Sequence, residues 1–136
     1  VIKYFMVPTD SIGDMIIRIK NAAASKKESV VFPRSKKTMA IAQVLERTGF
    51  IELFPKKGKK IHKTIEAKLT YVAGAPRFKG AKRISSISKR VYQKIKNVVP
   101  VKSGFGNLIL STPKGVLTEK EARKENVGGE ALFQIW

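Results

Sequence analysis

Apolar residues recur at helical spacing near the start of the chain. Ile12, Met15, Ile16 and Ile19 fall at i, i+3, i+4 and i+7, one face of an α-helix. Thr9, Asp10 and Ser11 offer capping side chains ahead of it, and Asp14 is an acid suited to its first turn. The pattern predicts a helix over residues 11–24, with Arg18 and Lys20 on the opposite face. Val30-Val31-Phe32 is a short β-prone run stopped by Pro33. Ser35 caps a second helix whose stripe is Ile41, Ala42, Val44 and Leu45, and Gly49 stands where a left-handed closing residue belongs. Residues 50–54 read as a strand, and residues 55–60 as its turn. Then comes the clearest alternation. Ile61, Ile65, Ala67, Leu69 and Tyr71 share one face of a strand, while His62, Thr64, Glu66, Lys68 and Thr70 share the other. The first 72 residues thus read α-β-α-β-β.

The texture changes after Ala73-Gly74-Ala75-Pro76, which marks a boundary over residues 73–78. Residues 79–96 are basic and contain serines, with Ile84, Ile87, Val91 and Ile95 dispersed among them; the pattern names no element there. Leu108-Ile109-Leu110 is a strand of the fully buried type within residues 107–111, followed by a turn at Thr112-Pro113-Lys114-Gly115. Thr118 and Glu121 form a capping box that opens a short helix to about Glu125. Val127-Gly128-Gly129 ends that helix, and residues 131–136 are a terminal strand. The expected fold class is α+β in two small domains. Residues 1–72 form an amino-terminal α-β-α-β-β domain, with 1–8 as an extension, and residues 79–136 a mostly β carboxyl-terminal domain with a short helix.

Charge narrows the function. The 136 residues carry 28 Lys plus Arg against 10 Asp plus Glu, a formal charge of +18. A body this small repels itself at that charge unless an anionic partner covers it. Nucleic acid leads, an anionic membrane surface comes second, and an acidic protein third. With 43% hydrophobic residues the chain can build a core. Cysteine is absent, so no disulfide framework or thiolate chemistry exists. The apolar runs fall far short of the ~20 residues of a membrane helix, and a basic amphipathic helix with a large aromatic face is missing. The protein reads as soluble and internal.

Catalytic constellations do not emerge. The single histidine, His62, sits on the polar face of a strand. Capping explains Asp10, Asp14 and Glu121. Gly104-Phe105-Gly106 lacks the third glycine and following helix of a dinucleotide loop. No enzyme activity and no cofactor or metal are expected. Binding fits better. Lys56, Lys57, Lys59 and Lys60 crowd a hairpin tip, where a solvated turn and phosphate contact are equally good readings. Lys79, Lys82, Arg83, Lys89, Arg90, Lys94, Lys96 and Lys102 are spread over a segment with Ser85, Ser86, Ser88 and Tyr92. Cations neutralise phosphates, hydroxyls bond ribose or base edges, and a ring stacks, a mixture that favours RNA. Ser111-Thr112-Pro113-Lys114-Gly115 with Gly128-Gly129-Glu130 is the most specific segment. It reads equally as a ligand-contacting pair of loops and as a plain turn plus helix stop.

That tail carries a resemblance. Leu110-Ser111-Thr112-Pro113-Lys114-Gly115-Val116-Leu117-Thr118-Glu119-Lys120-Glu121-Ala122-Arg123, then Val127-Gly128-Gly129-Glu130, resembles the S-T-S-K-G-[VI]-M-T-D-x-E-A-R and G-G-E signature of the bacterial small-subunit ribosomal protein S8 family. Asp14-Met15-Ile16-Ile17-Arg18-Ile19-Lys20-Asn21-Ala22 is similar to that family's D-M-L-T-R-I-R-N-A. Gly49-Phe50-Ile51 and Arg90-Val91-Tyr92 also fit, so the likeness runs in register over residues 9–136. The resemblance implies a two-domain α+β protein that binds the central domain of small-subunit ribosomal RNA early in assembly. It would dock on an irregular RNA helix with unpaired bases, mainly through its carboxyl-terminal domain. It also implies translational autorepression through a mimicking messenger RNA.

Carried over by position, the contact residues are Ser111, Thr112, Lys114 and Gly115 on one turn, Gly128, Gly129 and Glu130 on a second loop, and Tyr92 packing on the RNA. Lys89 and Arg90 join them as phosphate contacts. Expected partners are that RNA, neighbouring small-subunit proteins and the protein's own messenger, with no membrane and no homo-oligomer, on a cytoplasmic or organellar ribosome. Departures are local. Pro113 replaces the second serine of S-T-S-K-G and removes a hydroxyl and an amide hydrogen. Ser86-Ile87-Ser88 stands where R-P-G is common, and Phe133 where a cysteine is common. Met6-Val7-Pro8-Thr9-Asp10 matches a usual family start, leaving residues 1–5 as an upstream extension. The rival reading is a general basic nucleic-acid-binding protein, opposed by the lack of a recognition helix or dimeric pattern.

Overall fold

The structure, a computed structural model, describes residues 10–54, 64–86, 88–98 and 106–136. The first apolar stripe folds as α1 (Ser11–Ala24), burying Ile12, Met15, Ile16 and Ile19. Asp10 is its cap, with Oδ1 accepting from the Gly13 N–H at 3.1 Å. Strand β1 (Ser29–Pro33) follows, then α2 (Lys36–Arg47). A reciprocal box closes the start of α2: the Ser35 hydroxyl accepts from the Thr38 N–H, and the Thr38 hydroxyl from the Ser35 N–H. Gly49, at φ +86°, ends it as its position predicts.

Strands β2 (Ile51–Leu53) and β3 (Thr64–Leu69) complete an antiparallel sheet of order β1-β3-β2. Ile65, Ala67 and Leu69 point into the core, as the alternation requires. The strand stops at Leu69, however. Tyr71 belongs to β4 (Tyr71–Val72), which turns through Ala73 and Gly74, both at positive φ, into β5 (Ala75–Pro76). Residues 1–8, the lysine-rich turn at 55–60, Ile61, His62, Gly104 and Phe105 lie outside the described residues.

The basic stretch that named no element contributes β6 (Ala81–Arg83), β7 (Tyr92–Gln93) and a single 3-10 turn over Ile95–Asn97. Strand β8 (Asn107–Thr112) is where Leu108-Ile109-Leu110 placed it. The sequence pattern passed over β9 (Gly115–Thr118), which pairs with β8 and runs into α3 (Glu119–Glu125). The Thr118–Glu121 box is formed as expected. Asn126, in the left-handed conformation, ends α3 in place of the glycines that follow. Strand β10 (Gly129–Ile135) then pairs with β6, β7 and β8.

The fold is therefore mixed α+β, with an α1-β1-α2-β2-β3 region followed by a mainly β sheet carrying one short helix. Period-two alternation splits β8 between two cores. Ile109 faces the larger cluster with Leu132, Phe133 and Ile135, and that cluster also holds Ile16, Ile41, Leu45 and Phe50 from the amino-terminal half. Leu108 and Leu110 face the other side and pack with Ala122, Ala131 and Val98. A strand covered on both faces reads as a continuous apolar run, which is why β8 does.

Candidate nucleic-acid interface

Strand β10 is the spine of the site. Glu130 stands opposite Ser111 on β8 and opposite Tyr92 on β7, so one strand gathers three separated stretches of sequence. Tyr92, Ser111, Thr112, Gly128, Gly129 and Glu130 line one open groove of about 770 Å³. Pro113, Gln93, Lys94 and Ile95 complete its walls. Lys94 belongs to the basic residues read as favouring RNA, whereas Gln93 and Ile95 carry no such signal, because their place depends on the β7–β10 pairing, which has no local pattern. Tyr92 is 72% exposed, so its ring is open to a partner.

The hydroxyls are not equivalent. Thr112 Oγ1 donates to the Gly115 carbonyl at 2.7 Å and accepts from the Lys114 N–H at 3.1 Å, so it is spent on the turn. Gly115, at φ +108°, closes that turn. Ser111 is half-buried in the groove, and no side-chain hydrogen bond holds its hydroxyl among the described residues. Lys114 extends away to an exposed ion pair with Glu125 at 3.0 Å. Lys89 is exposed on a turn closed by the Ser86 hydroxyl and does not line the groove.

Close approach explains both glycines, but the neighbours are the chain's own backbone. A Cβ on Gly128 would lie 2.5 Å from the Gln93 carbonyl oxygen, and one on Gly129 would collide with the Ser111 carbonyl. The two glycines let β7, β8 and the start of β10 lie together.

Beneath the groove runs a polar network. Ser85, grouped above with Ser86 and Ser88 among the hydroxyls favouring RNA, is fully buried. Its hydroxyl donates to Glu130 Oε2 and accepts from the Val91 N–H at 3.1 Å. Arg90 donates to the same carboxylate at 3.1 Å. Burial works against charge on Glu130, but Ser85, Arg90 and the field of Lys37 outweigh it and hold its pKa below the usual carboxylate range. Arg83 links this network to α1, donating to the Ser85 carbonyl and to Asp10 Oδ2, the latter at 2.7 Å. That Arg83 bond is the main cause of a lowered Asp10 pKa. The Glu130 carboxylate is thus a structural anion that orients Arg90, while Ser111 and Tyr92 face outward.

Among the described residues no group of three or more His, Asp or Glu could hold a metal, and no helix is long and apolar enough to cross a membrane. Fold and charge together describe a basic α+β protein with one candidate groove lined by turns, a ring and a hydroxyl. The family model for Ribosomal protein S8 matches residues 10–136. Over 131 residues the chain is 47% identical to the small ribosomal subunit protein uS8 of Mycoplasmopsis agalactiae, covering 96% of this chain and 100% of the relative. The uS8 proteins of Novosphingobium aromaticivorans (40% over 131 residues) and Crocosphaera subtropica (41% over 133 residues) are matched over the same shares of each chain. The chain therefore belongs to the Ribosomal protein S8 family, as a structural, non-enzymatic protein of the small ribosomal subunit.

Proposed function

We propose that this protein binds the central domain of small-subunit ribosomal RNA directly, through the β7–β8–β10 groove, and helps that domain assemble. The observation that carries the reading is the groove itself, which an exposed Tyr92 and an unengaged Ser111 hydroxyl line from opposite sides of β10. A ring stacks on unpaired bases and a hydroxyl reads ribose or base edges, so the groove suits an irregular helix. Arg90, Lys114 and Lys89, which lie outside the groove lining, supply phosphate contacts around it. Residues 79–136 form the RNA-binding domain, residues 1–72 the amino-terminal one and 73–78 the linker. The protein acts as a monomer on the ribosome of its compartment, beside neighbouring small-subunit proteins, and the same groove takes its own messenger RNA for autorepression.

Footprinting on whole small-subunit RNA tests this. Protection within the central domain is expected; protection confined elsewhere overturns it. Ser111→Ala should narrow the preference for the irregular helix over a fully paired control, and equal losses on both RNAs would remove Ser111 from a reading role. Lys114→Ala should reduce the salt slope by about one contact, and an unchanged slope would show that Lys114 stays with Glu125.

A further inference from the structure

Arg83 holds two groups that lie far apart in the sequence. Its Nε donates to the Ser85 carbonyl, and its Nη1 to Asp10 Oδ2 at 2.7 Å. A planar guanidinium presents such donors in a fixed fork, which an ammonium does not have. Asp10 divides its oxygens between two tasks. Oδ1 closes the first turn of α1 by accepting from the Gly13 N–H, and Oδ2 takes Arg83. The ion pair sits tight on that turn: a Cβ on Gly13 would lie 2.6 Å from Asp10 Oδ2 and 2.9 Å from Arg83 Nη1.

Ser85 has all of its polar atoms engaged at this point. Its N–H donates to the Leu132 carbonyl at 3.3 Å, its carbonyl takes Arg83, and its hydroxyl joins Glu130 to the Val91 N–H. The Val91 carbonyl in turn accepts from the Ala131 N–H at 2.8 Å. Val91 lies between Arg90, which pairs with Glu130, and Tyr92, which lines the groove. Charges of both signs surround Ser85. Arg83 pairs with Asp10 and Arg90 with Glu130, while the field of Lys37 reaches Glu130 from α2 and that of Arg90 reaches Asp10.

Resting on the RNA reading above, we infer that Arg83 is a positioning residue for the groove: by clamping the Ser85 carbonyl to the cap of α1, it aims the Ser85 hydroxyl at Glu130 and Val91 and so sets Arg90 and Tyr92. The cap of the first helix thereby becomes part of the binding apparatus, although Asp10 does not line the groove. The competing explanation is charge alone, with Asp10 acting only through its field. The two differ in sign. By field alone, removing the Asp10 charge lowers the Glu130 pKa and tightens the hold on a polyanion. Releasing Ser85 instead takes a hydrogen bond from the Glu130 carboxylate, which raises that pKa and frees Arg90 and Tyr92 from their set positions.

Asp10→Asn separates the two explanations in the full chain. Asn caps a helix about as well as Asp, so α1 stays closed, but an amide N–H takes the place of the oxygen that accepted from Arg83. Arg83→Lys is the second variant; it keeps every charge and loses the fork. In both, carbon-13 titration of the Glu130 carboxyl in the free protein should show its pKa moved up towards the ordinary 4.5. Affinity for whole small-subunit RNA should fall about 2- to 30-fold. The double variant should lose no more than Arg83→Lys alone, because both substitutions cut one path. A Glu130 pKa that falls or stays, an unchanged affinity, or losses that add in the double variant would each overturn the positioning role. A wild type that binds this RNA no better than an unrelated one would instead sink the RNA reading, while the Glu130 titration, made without RNA, would still decide whether Arg83 positions Ser85.

Discussion

Ser85→Ala removes one oxygen from the interior, directly below the groove. The hydroxyl is fully buried and makes two hydrogen bonds, one to the Glu130 carboxylate and one from the Val91 N–H. A hydrogen bond to a charged group contributes about 1.5–3 kcal/mol, and a stranded N–H costs about 1 kcal/mol or more. Arg90 still holds Glu130, so the expected loss is about 3 kcal/mol. For a chain of this length each kcal/mol moves Tm by roughly 3–5 °C, giving a fall of about 10 °C. The loss depends on pH. Burial opposes the Glu130 charge, but Ser85, Arg90 and Lys37 lower its pKa in the folded state. Its contribution is therefore fully present above the ordinary glutamate value of 4.5 and fades as pH falls through the lower folded value. In the variant that folded value moves back up. The gap between the two proteins should be widest near neutrality and narrow as pH falls below 4.5 and through the lower folded value, leaving only the neutral part of the network. Urea unfolding followed by circular dichroism at pH 7 and at pH 3.5 measures both. A difference under about 0.5 kcal/mol at pH 7, or an equal loss at both pH values, would refute the charged network.

Other outcomes follow from the same geometry. Gly129→Ala sets a methyl against the Ser111 carbonyl, a backbone atom that cannot rotate away. It should cost about 1–3 kcal/mol and weaken RNA binding beyond that loss; wild-type stability would show that the strands can part freely. Both edges of the amino-terminal sheet are closed by helix side chains, Arg18 on the Val31 carbonyl and Glu46 on the Leu53 N–H. Glu46→Ala opens the β2 edge and should promote self-association of the free protein in sedimentation runs, so strictly monomeric behaviour at high concentration would count against an edge-blocking role. Asp10 and Glu121 also have lowered pKa values, the first chiefly from its Arg83 hydrogen bond, the second because Arg47 and Thr118 overcome burial. Wild-type stability should hold down to about pH 4.5 and fall below it; a fall beginning near pH 6 would require a different titrating group.

Local pattern was enough for α1 and α2, whose apolar stripes repeat every three or four residues, and for β1 and β8, which read as short apolar runs. The caps at Asp10, Ser35 and Thr118 were legible for the same reason: the side chain and the N–H it accepts from lie within one turn. The charge of +18 pointed to a polyanion without any fold. Beyond one turn that legibility ended. Residues 79–96 form β6 and β7 only because β10, far along the chain, supplies their hydrogen bonds, and β9 exists only as the partner of β8. Ser85 and Ser86 look alike in sequence, yet one is buried under Glu130 and the other sits on an open turn. Gly128 and Gly129 read as a helix stop until three strands crowd them. The tertiary structure decided which hydroxyl is spent and which lines the groove unengaged. Those outcomes depend on which distant backbones share hydrogen bonds, and pairing of that kind has no period along the chain.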